Sequence, residues 1–230
     1  MLKRLFDLVA SGVGLVLASP LLAVMAIWIK LDSSGPVFYR GERAGRGGKP
    51  FRIFKFRSMV TDAERIGGPS TSGDDPRVTR SGRFIRRCKL DELTQLINVL
   101  RGDMSLVGPR PEVLHKAAEL QRGEYQKILE LRPGITDWAS IWNSDEGGVL
   151  AGAADPDAAY EKILRPTKLK LQLYYCDTRS FGGDLKIILY TLLRILRKNW
   201  TPAELQNYPT FAQLRAEVEK LIAAQPTEAR

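Results

Sequence analysis

Residues 8–29 read LVASGVGLVLASPLLAVMAIWI, twenty-two positions without a charge, with Ser19-Pro20 near the middle. About 20 apolar residues suffice to cross a bilayer, so length alone permits a transmembrane helix. The run is too long for the apolar part of a secretion signal, and no A-x-A cleavage site precedes the first charges, so the segment reads as retained. Its flanks argue against a simple span. Lys3 and Arg4 come before it, and Lys30, Arg40, Arg43, Arg46, Lys49, Arg52, Lys55 and Arg57 come after it. Basic flanks favour the cytoplasmic side, and a single crossing satisfies only one of them. Pro20 lacks an amide donor and its ring crowds the carbonyl four residues back, which predicts a sharp bend. The Ser19 hydroxyl can satisfy the carbonyl freed near Val16. Two readings follow from these residues: a helix that breaks and returns by the same face, or an ordinary span with a kink.

Downstream the character changes. In PVFYRGERAGRGGKPFRIFKFRSM, Val37 to Tyr39 and Phe51 to Phe56 read as strands joined by a loop from Gly41 to Pro50. The glycines do not form a nucleotide-binding loop, because Lys49 is followed by Pro50 and no glycine stands five before Gly48. Lys55 and Arg57 share one face of the second strand, where they could meet lipid headgroups or hold a phosphate. Beyond the loop GGPSTSGDDPR, Leu90, Leu93, Leu96, Ile97 and Leu100 recur at helical spacing and Gly102 closes the helix. Asp91 and Glu92 fall in its first turn, where favourable interaction with the helix dipole would explain them without any chemistry.

Their surroundings suggest more. Arg83, Arg86, Arg87 and Lys89 lie just upstream, and Arg110 follows in GPRP, its backbone restricted by Pro109 and Pro111. A fixed arginine suits bidentate contact with phosphate. Two adjacent acids among arginines can bind a divalent metal while the arginines hold an anionic substrate, which is the inventory of phosphoryl transfer.

The bulk properties are compatible with this. The chain has 230 residues, 44% of them hydrophobic, and a net charge of +9, so anionic partners are favoured. Nucleic acid is not expected, because neither a basic recognition helix nor a base-stacking motif is present. Cys88 and Cys176 are too few for a disulfide framework, and with the single His115 they make no zinc cluster.

The order of KRLFDLV, the Ser-Pro within the apolar run, GPVFYR, FKFRSM, DDPRVTRSGRFIRR, LDELTQLINVLRGDMSLVGPRPE, RPGIT and DTRSFGGDLKII resembles the bacterial sugar transferases, the monotopic polyprenyl-phosphate phosphoglycosyl transferases, over about residues 1 to 198. The resemblance implies that Asp91 attacks the β-phosphate of a UDP-sugar, with Glu92 as its partner. UMP is then expelled, and the phosphosugar is carried covalently until polyprenyl (undecaprenyl) phosphate takes it. It further implies Mg²⁺ held by Asp91, Glu92 and Asp184, and substrate phosphates held by Arg110, Arg86 and Lys55. Asp184 has a rival role as the N-cap of the following helix. The implied location is the cytoplasmic face of the bacterial inner membrane, with membrane lipids as partners and a homodimer as one option for assembly. The implied step is the first membrane step of exopolysaccharide, capsule, O-antigen or glycoprotein synthesis. The expected fold is α+β. Residues 1–32 form a re-entrant anchor broken at Ser19-Pro20, 33–200 a catalytic domain with interfacial helices and a short β-hairpin, and 201–230 a helical tail.

After RPGIT the chain departs from the family's usual Gly-Trp stretch and reads DWASIWNSDEGGVLAGAADPDAAYEK. Trp138 and Trp142 could stack on a base or pack as a buried pair. Asp155-Pro156-Asp157 reads as a turn into a helix at Ala158. DLKIILYTLLRILRKNW has the apolar excess of an interfacial helix, with a core helix as the rival. Thr201-Pro202-Ala203-Glu204 carries helix-start signals, and TFAQLRAEVEKLIAAQ follows with its own.

Overall fold

The computed structural model describes residues 1–68, 70–197 and 200–224. Helix α1 (Leu2–Asp32) leads into a hairpin in which β1 (Phe38–Tyr39) pairs antiparallel with β4 (Lys55–Phe56) and β2 (Glu42–Ala44) pairs with β3 (Pro50–Arg52) nearer the turn. There follow α2 (Ala63–Ile66), α3 (Arg80–Arg87), a 3-10 segment over Leu90–Gln95 that runs into α4 (Leu96–Arg101), and β5 (Ser105–Val107). Helices α5 (Leu114–Glu119) and α6 (Gln126–Glu130) precede β6 (Gly134–Thr136), which pairs in parallel with β5. The remainder is helical: α7 (Trp138–Trp142), α8 (Glu146–Leu150), α9 (Pro156–Ala159), α10 (Arg165–Thr178), α11 (Phe181–Leu196) and α12 (Phe211–Ala224). The fold is thus mixed, mostly helical with short strands. The parallel β5–β6 pair was not expected from the sequence.

Helix α1 runs through Pro20 as one element, where the sequence predicts two pieces separated by a break. The proline leaves the Val16 carbonyl without its usual amide, and the Ser19 hydroxyl donates to that oxygen at 2.7 Å. Both ends of α1 are fastened to the same folded body. At the N-terminal end Asp7 is buried and accepts from the Ser105 hydroxyl at 2.8 Å and the Leu106 amide at 3.2 Å. Arg4 reaches the carbonyls of Leu100 and Met104. At the other end Met25 and Ile29 pack with Phe56 and Ile85, and the Asp32 carboxylate accepts from the Ser81 amide at 2.8 Å. Away from these contacts a stripe of apolar residues faces outward, including Leu5, Val9, Val13, Leu17 and Val24. Helix α11 does the same with Leu185, Leu189, Leu192 and Ile195, while Ile187 packs into the core. Apolar stripes of this extent mark a surface covered by something other than water.

The stretch read as a loop from Gly41 to Pro50 contains β2, so the connection narrows to Gly45–Lys49, closed by the Gly45 amide donating to the Lys49 carbonyl at 2.8 Å. Arg57, grouped with Lys55 as a phosphate ligand, is buried instead. Its Nη2 donates to the Ser33 carbonyl at 2.6 Å and the Ser33 hydroxyl at 2.9 Å, capping the end of α1. An arginine that satisfies orphan carbonyls at a helix C-terminus is not free for substrate.

Asp155 caps α9 through the Ala158 amide, as the turn reading required. The helix start read at Thr201 is only a 3-10 turn over Ala203–Leu205 with Pro202 at its cap. Thr210 and Gln213 form the true start, with the Thr210 hydroxyl accepting from the Gln213 amide and the Gln213 side chain accepting from the Thr210 amide. Residues 225–230 of the tail and Lys198 lie outside the described residues. The tail packs on the domain: Leu214 and Val218 of α12 are buried against Val149, Leu150, Tyr160, Ile163 and Leu164. Leu214→Ala should therefore destabilise the protein by about 2–5 kcal/mol, measured by denaturant unfolding.

Candidate active site

The acidic dyad sits at a corner. Lys89 adopts a left-handed conformation (φ 56°), ending α3 and starting the 3-10 segment that carries Asp91 and Glu92. This segment is held against β4, because the Thr94 hydroxyl donates to the Phe54 carbonyl at 3.1 Å and the Phe54 amide donates to the Asn98 side chain at 2.7 Å. The corner turns both carboxylates toward the hairpin. The tighter winding replaces the α-helical first turn that the leucine spacing predicts.

Lys55 lies between the two acids, its Nζ 3.0 Å from Asp91 Oδ2 and 3.5 Å from Glu92 Oε1. Arg110 grips Glu92 with both ends of its guanidinium, Nη1 to Oε2 at 2.9 Å and Nη2 to Oε1 at 2.5 Å. Burial would raise the Glu92 pKa, but the charges of Arg110 and Lys55 and the Arg110 hydrogen bonds outweigh it and hold the carboxyl well below its ordinary range. Glu92 is thus ionised at neutral pH and fully engaged. Asp91 differs: Oδ2 pairs with Lys55, while no described residue donates to Oδ1.

Sequence reasoning placed Arg110 on substrate phosphate, whereas its guanidinium is committed to Glu92 and to the Ile135 carbonyl at 3.2 Å. Arg86 fits that role better. Its Nε donates to the Ser58 hydroxyl at 2.8 Å, and its two remaining nitrogens carry no bond to a described residue. Asp184 does not join the dyad. Its carboxylate binds Lys3 at 2.5 Å and the Tyr175 hydroxyl at 2.8 Å, so it ties the first turn of α1 to the domain. It is not the N-cap of α11 either, since the Ser180 hydroxyl takes the Gly183 amide at 3.0 Å.

Among the described residues no three His, Cys, Asp or Glu side chains cluster to hold a metal ion. Of the three acids read as Mg²⁺ ligands, Asp91 and Glu92 share Lys55, while Asp184 is bound to Lys3 and Tyr175.

Asp137 was missed as a contributor. It is fully buried and accepts from the Ser140 amide and hydroxyl at 2.7 Å and from the Arg110 amide at 3.3 Å. Asp-x-x-Ser before an aromatic run is a legible capping pattern, but its reach to Arg110 is not local. The β5–β6 pair fixes the same loop: the Gly134 amide donates to the Pro109 carbonyl at 2.9 Å, and the Gly108 amide to the Thr136 carbonyl at 3.0 Å. Trp138 is buried in the core beside Leu171 and Tyr175, while Trp142 is half-buried with its indole donating to the Pro209 carbonyl at 2.8 Å.

The dyad, Lys55, Arg86, Arg110 and Trp142 border a cleft of about 2510 Å³. Its walls include Lys55, Arg86, Asp91 and Glu92 on one side, α7 and α8 on another, and the tail segment 205–212. Single-ligand sites usually hold about 300–1,000 Å³, so there is room for more than one substrate. The site thus joins a long apolar helix, held along the domain, to a cleft in which two carboxylates meet Lys55 and Arg110.

Residues 1–198 match the family described as bacterial sugar transferase, and the chain belongs to that family. It is 44% identical over 202 residues to an undecaprenyl-phosphate glucose phosphotransferase of Komagataeibacter xylinus, covering 84% of this chain and 35% of that protein. It is 39% identical over 201 residues to a UDP-N-acetylgalactosamine-undecaprenyl-phosphate N-acetylgalactosaminephosphotransferase of Aeromonas hydrophila, covering 85% of this chain and 44% of that protein. Similarity to the exopolysaccharide production protein PSS of Rhizobium leguminosarum bv. phaseoli is 37% over 207 residues, 86% of this chain and 96% of that one. The chain spans less than half the length of the first two relatives.

Proposed function

We propose that this protein transfers a phosphosugar from a UDP-sugar to undecaprenyl phosphate, releasing UMP, through a covalent intermediate on Asp91. The observation that carries this reading is the asymmetry of Asp91, one oxygen paired with Lys55 and the other without a described donor, in the wall of a cleft that Arg86 also lines. An oxygen so placed can attack the β-phosphorus of the donor, and the bond from that phosphorus to the bridging oxygen breaks as UMP leaves. A phosphate oxygen of the lipid acceptor then displaces the Asp91 carboxylate and takes the phosphosugar. Lys55 and Arg86 offset the negative charge that gathers on the diphosphate. Glu92 keeps Lys55 and Arg110 in position. Mg²⁺, bound by Asp91 and the diphosphate, would supply further neutralisation of the leaving group. The names of the relatives support this chemistry, and UMP release from purified protein in liposomes given a panel of UDP-sugars tests it; no release from any donor would overturn it.

The lipid acceptor is supported by the exposed apolar side chains of Phe84, Leu192 and Ile195, which line the same cleft as the dyad. Attachment of both ends of α1 to one domain favours a helix that does not cross the bilayer, with that domain in the cytoplasm. A helix of 31 residues is about 46 Å long, enough to span, and the attachment of both ends to the same body supports keeping them on one side. Cysteines placed before Lys3 and after Lys30, with Cys88 and Cys176 replaced, should both react only with a reagent applied from the cytoplasmic side. Labelling of the first from outside would make the segment an ordinary span. The comparison with PSS favours a place in exopolysaccharide synthesis.

A further inference from the structure

Glu146 stands out among the acids of the cleft. It heads α8 on the wall formed by the segment that departs from the family pattern, and no described side chain or amide bonds its carboxylate. It lines the same cleft as Arg86, Arg110 and the dyad.

Its position is firmly built. Asp145 caps α8 through the Gly148 amide at 3.1 Å, the Gly147 carbonyl accepts from the Gly73 amide at 2.8 Å, and Val149 and Leu150 are wholly buried under α12. Asn143, one turn earlier at the end of α7, also lines the cleft and has no described side-chain hydrogen bond. The result is a carboxylate and an amide on the wall with no hydrogen bond to a described residue, free to meet a ligand.

Asp91 and Glu92 each have a cation bonded to them, whereas no described cation bonds Glu146, so this wall suits a neutral part of the donor better than its phosphates. A nucleotide sugar has two such parts, the transferred sugar on the β-phosphate and the uridine beyond the α-phosphate. Attack at the β-phosphorus brings the sugar next to Asp91, in the cleft whose wall carries Glu146. The uridine lies one phosphate further away. Carboxylate and amide oxygens accept from sugar hydroxyls, and the amide NH₂ donates to a hydroxyl or N-acetyl oxygen. We infer that Glu146, with Asn143, binds hydroxyls of the transferred sugar and determines which UDP-sugar is used.

The inference rests on the proposed transfer reaction, and one set of measurements separates the two. UMP release would be followed in liposomes for the native protein, Glu146→Gln and Asn143→Ala, with UDP-glucose, UDP-galactose, UDP-N-acetylglucosamine and UDP-N-acetylgalactosamine as donors. Inhibition by added UMP would be measured alongside. Glu146→Gln keeps the shape while weakening a charged hydrogen bond, so the kcat/KM ratio between the preferred donor and its poorest competitor should change by about tenfold or more. UMP inhibition should stay within about twofold, since UMP lacks the transferred sugar. Native activity with unchanged donor ratios in both variants would overturn the assignment and leave the reaction standing. A parallel loss of UMP inhibition would move Glu146 to the uridine and also overturn it. No release by the native protein would remove the reaction and this inference together.

Discussion

Asp91→Asn is expected to stop UMP release from every UDP-sugar while leaving the protein folded and membrane-bound. The substitution keeps the side chain's size and leaves Lys55 its contact with Glu92 at 3.5 Å. What it removes is the nucleophile, because a neutral amide oxygen does not form a stable bond to phosphorus. Loss of a covalent nucleophile leaves only binding and electrostatics, so the rate should fall by at least about 10³-fold. Incubation with donor radiolabelled in its β-phosphate should label the native chain and not the variant. Turnover in Asp91→Asn within about tenfold of native would remove Asp91 from this role. Glu92 is a poor substitute, since both its oxygens are already held by Arg110.

Gly134→Ala is expected to cost stability and activity together. A Cβ on Gly134 would lie 2.1 Å from the Gly108 nitrogen and 2.3 Å from the Gly108 carbonyl oxygen, backbone atoms with no rotamer by which to retreat. The clash forces β5 and β6 apart, and with them goes the Gly134 bond to the Pro109 carbonyl that sets the loop of Arg110. Overpacking costs about 1–3 kcal/mol where side chains can adjust, and more is expected where they cannot. At roughly 2–4 °C per kcal/mol for a chain of this size, a fall in Tm of about 6 °C or more should appear by calorimetry. Gly182→Ala, at an exposed helical position with nothing within 4 Å of the added carbon, is the control and should leave Tm unchanged or slightly raised. Equal melting of Gly134→Ala and the native protein would show that the β5–β6 pair yields without cost.

The dyad, the arginines around it and the apolar anchor were legible because each depends on neighbours in sequence. Hydrophobic spacing marked the segment of Asp91 and Glu92, and the Ser19 hydroxyl found the Val16 carbonyl three residues away. The capping box at Thr210 and the turn at Asp155 are equally local.

Partner choice was not legible where the partner lies far along the chain. Asp184 reads as a metal ligand or a cap, and it is neither, because Lys3 from the first turn of α1 arrives beside it across 181 residues. Arg57 reads like Lys55, two positions apart on the same strand face, yet Arg57 closes the end of α1 and Lys55 joins the dyad. Arg110 carries the geometry for phosphate and spends it on Glu92. Residue types and local spacing determined which chemistry this protein can carry. Which charge meets which carboxylate was decided only by tertiary packing, because an ion pair depends on distance in space and burial strips the water that would otherwise let either partner stand alone.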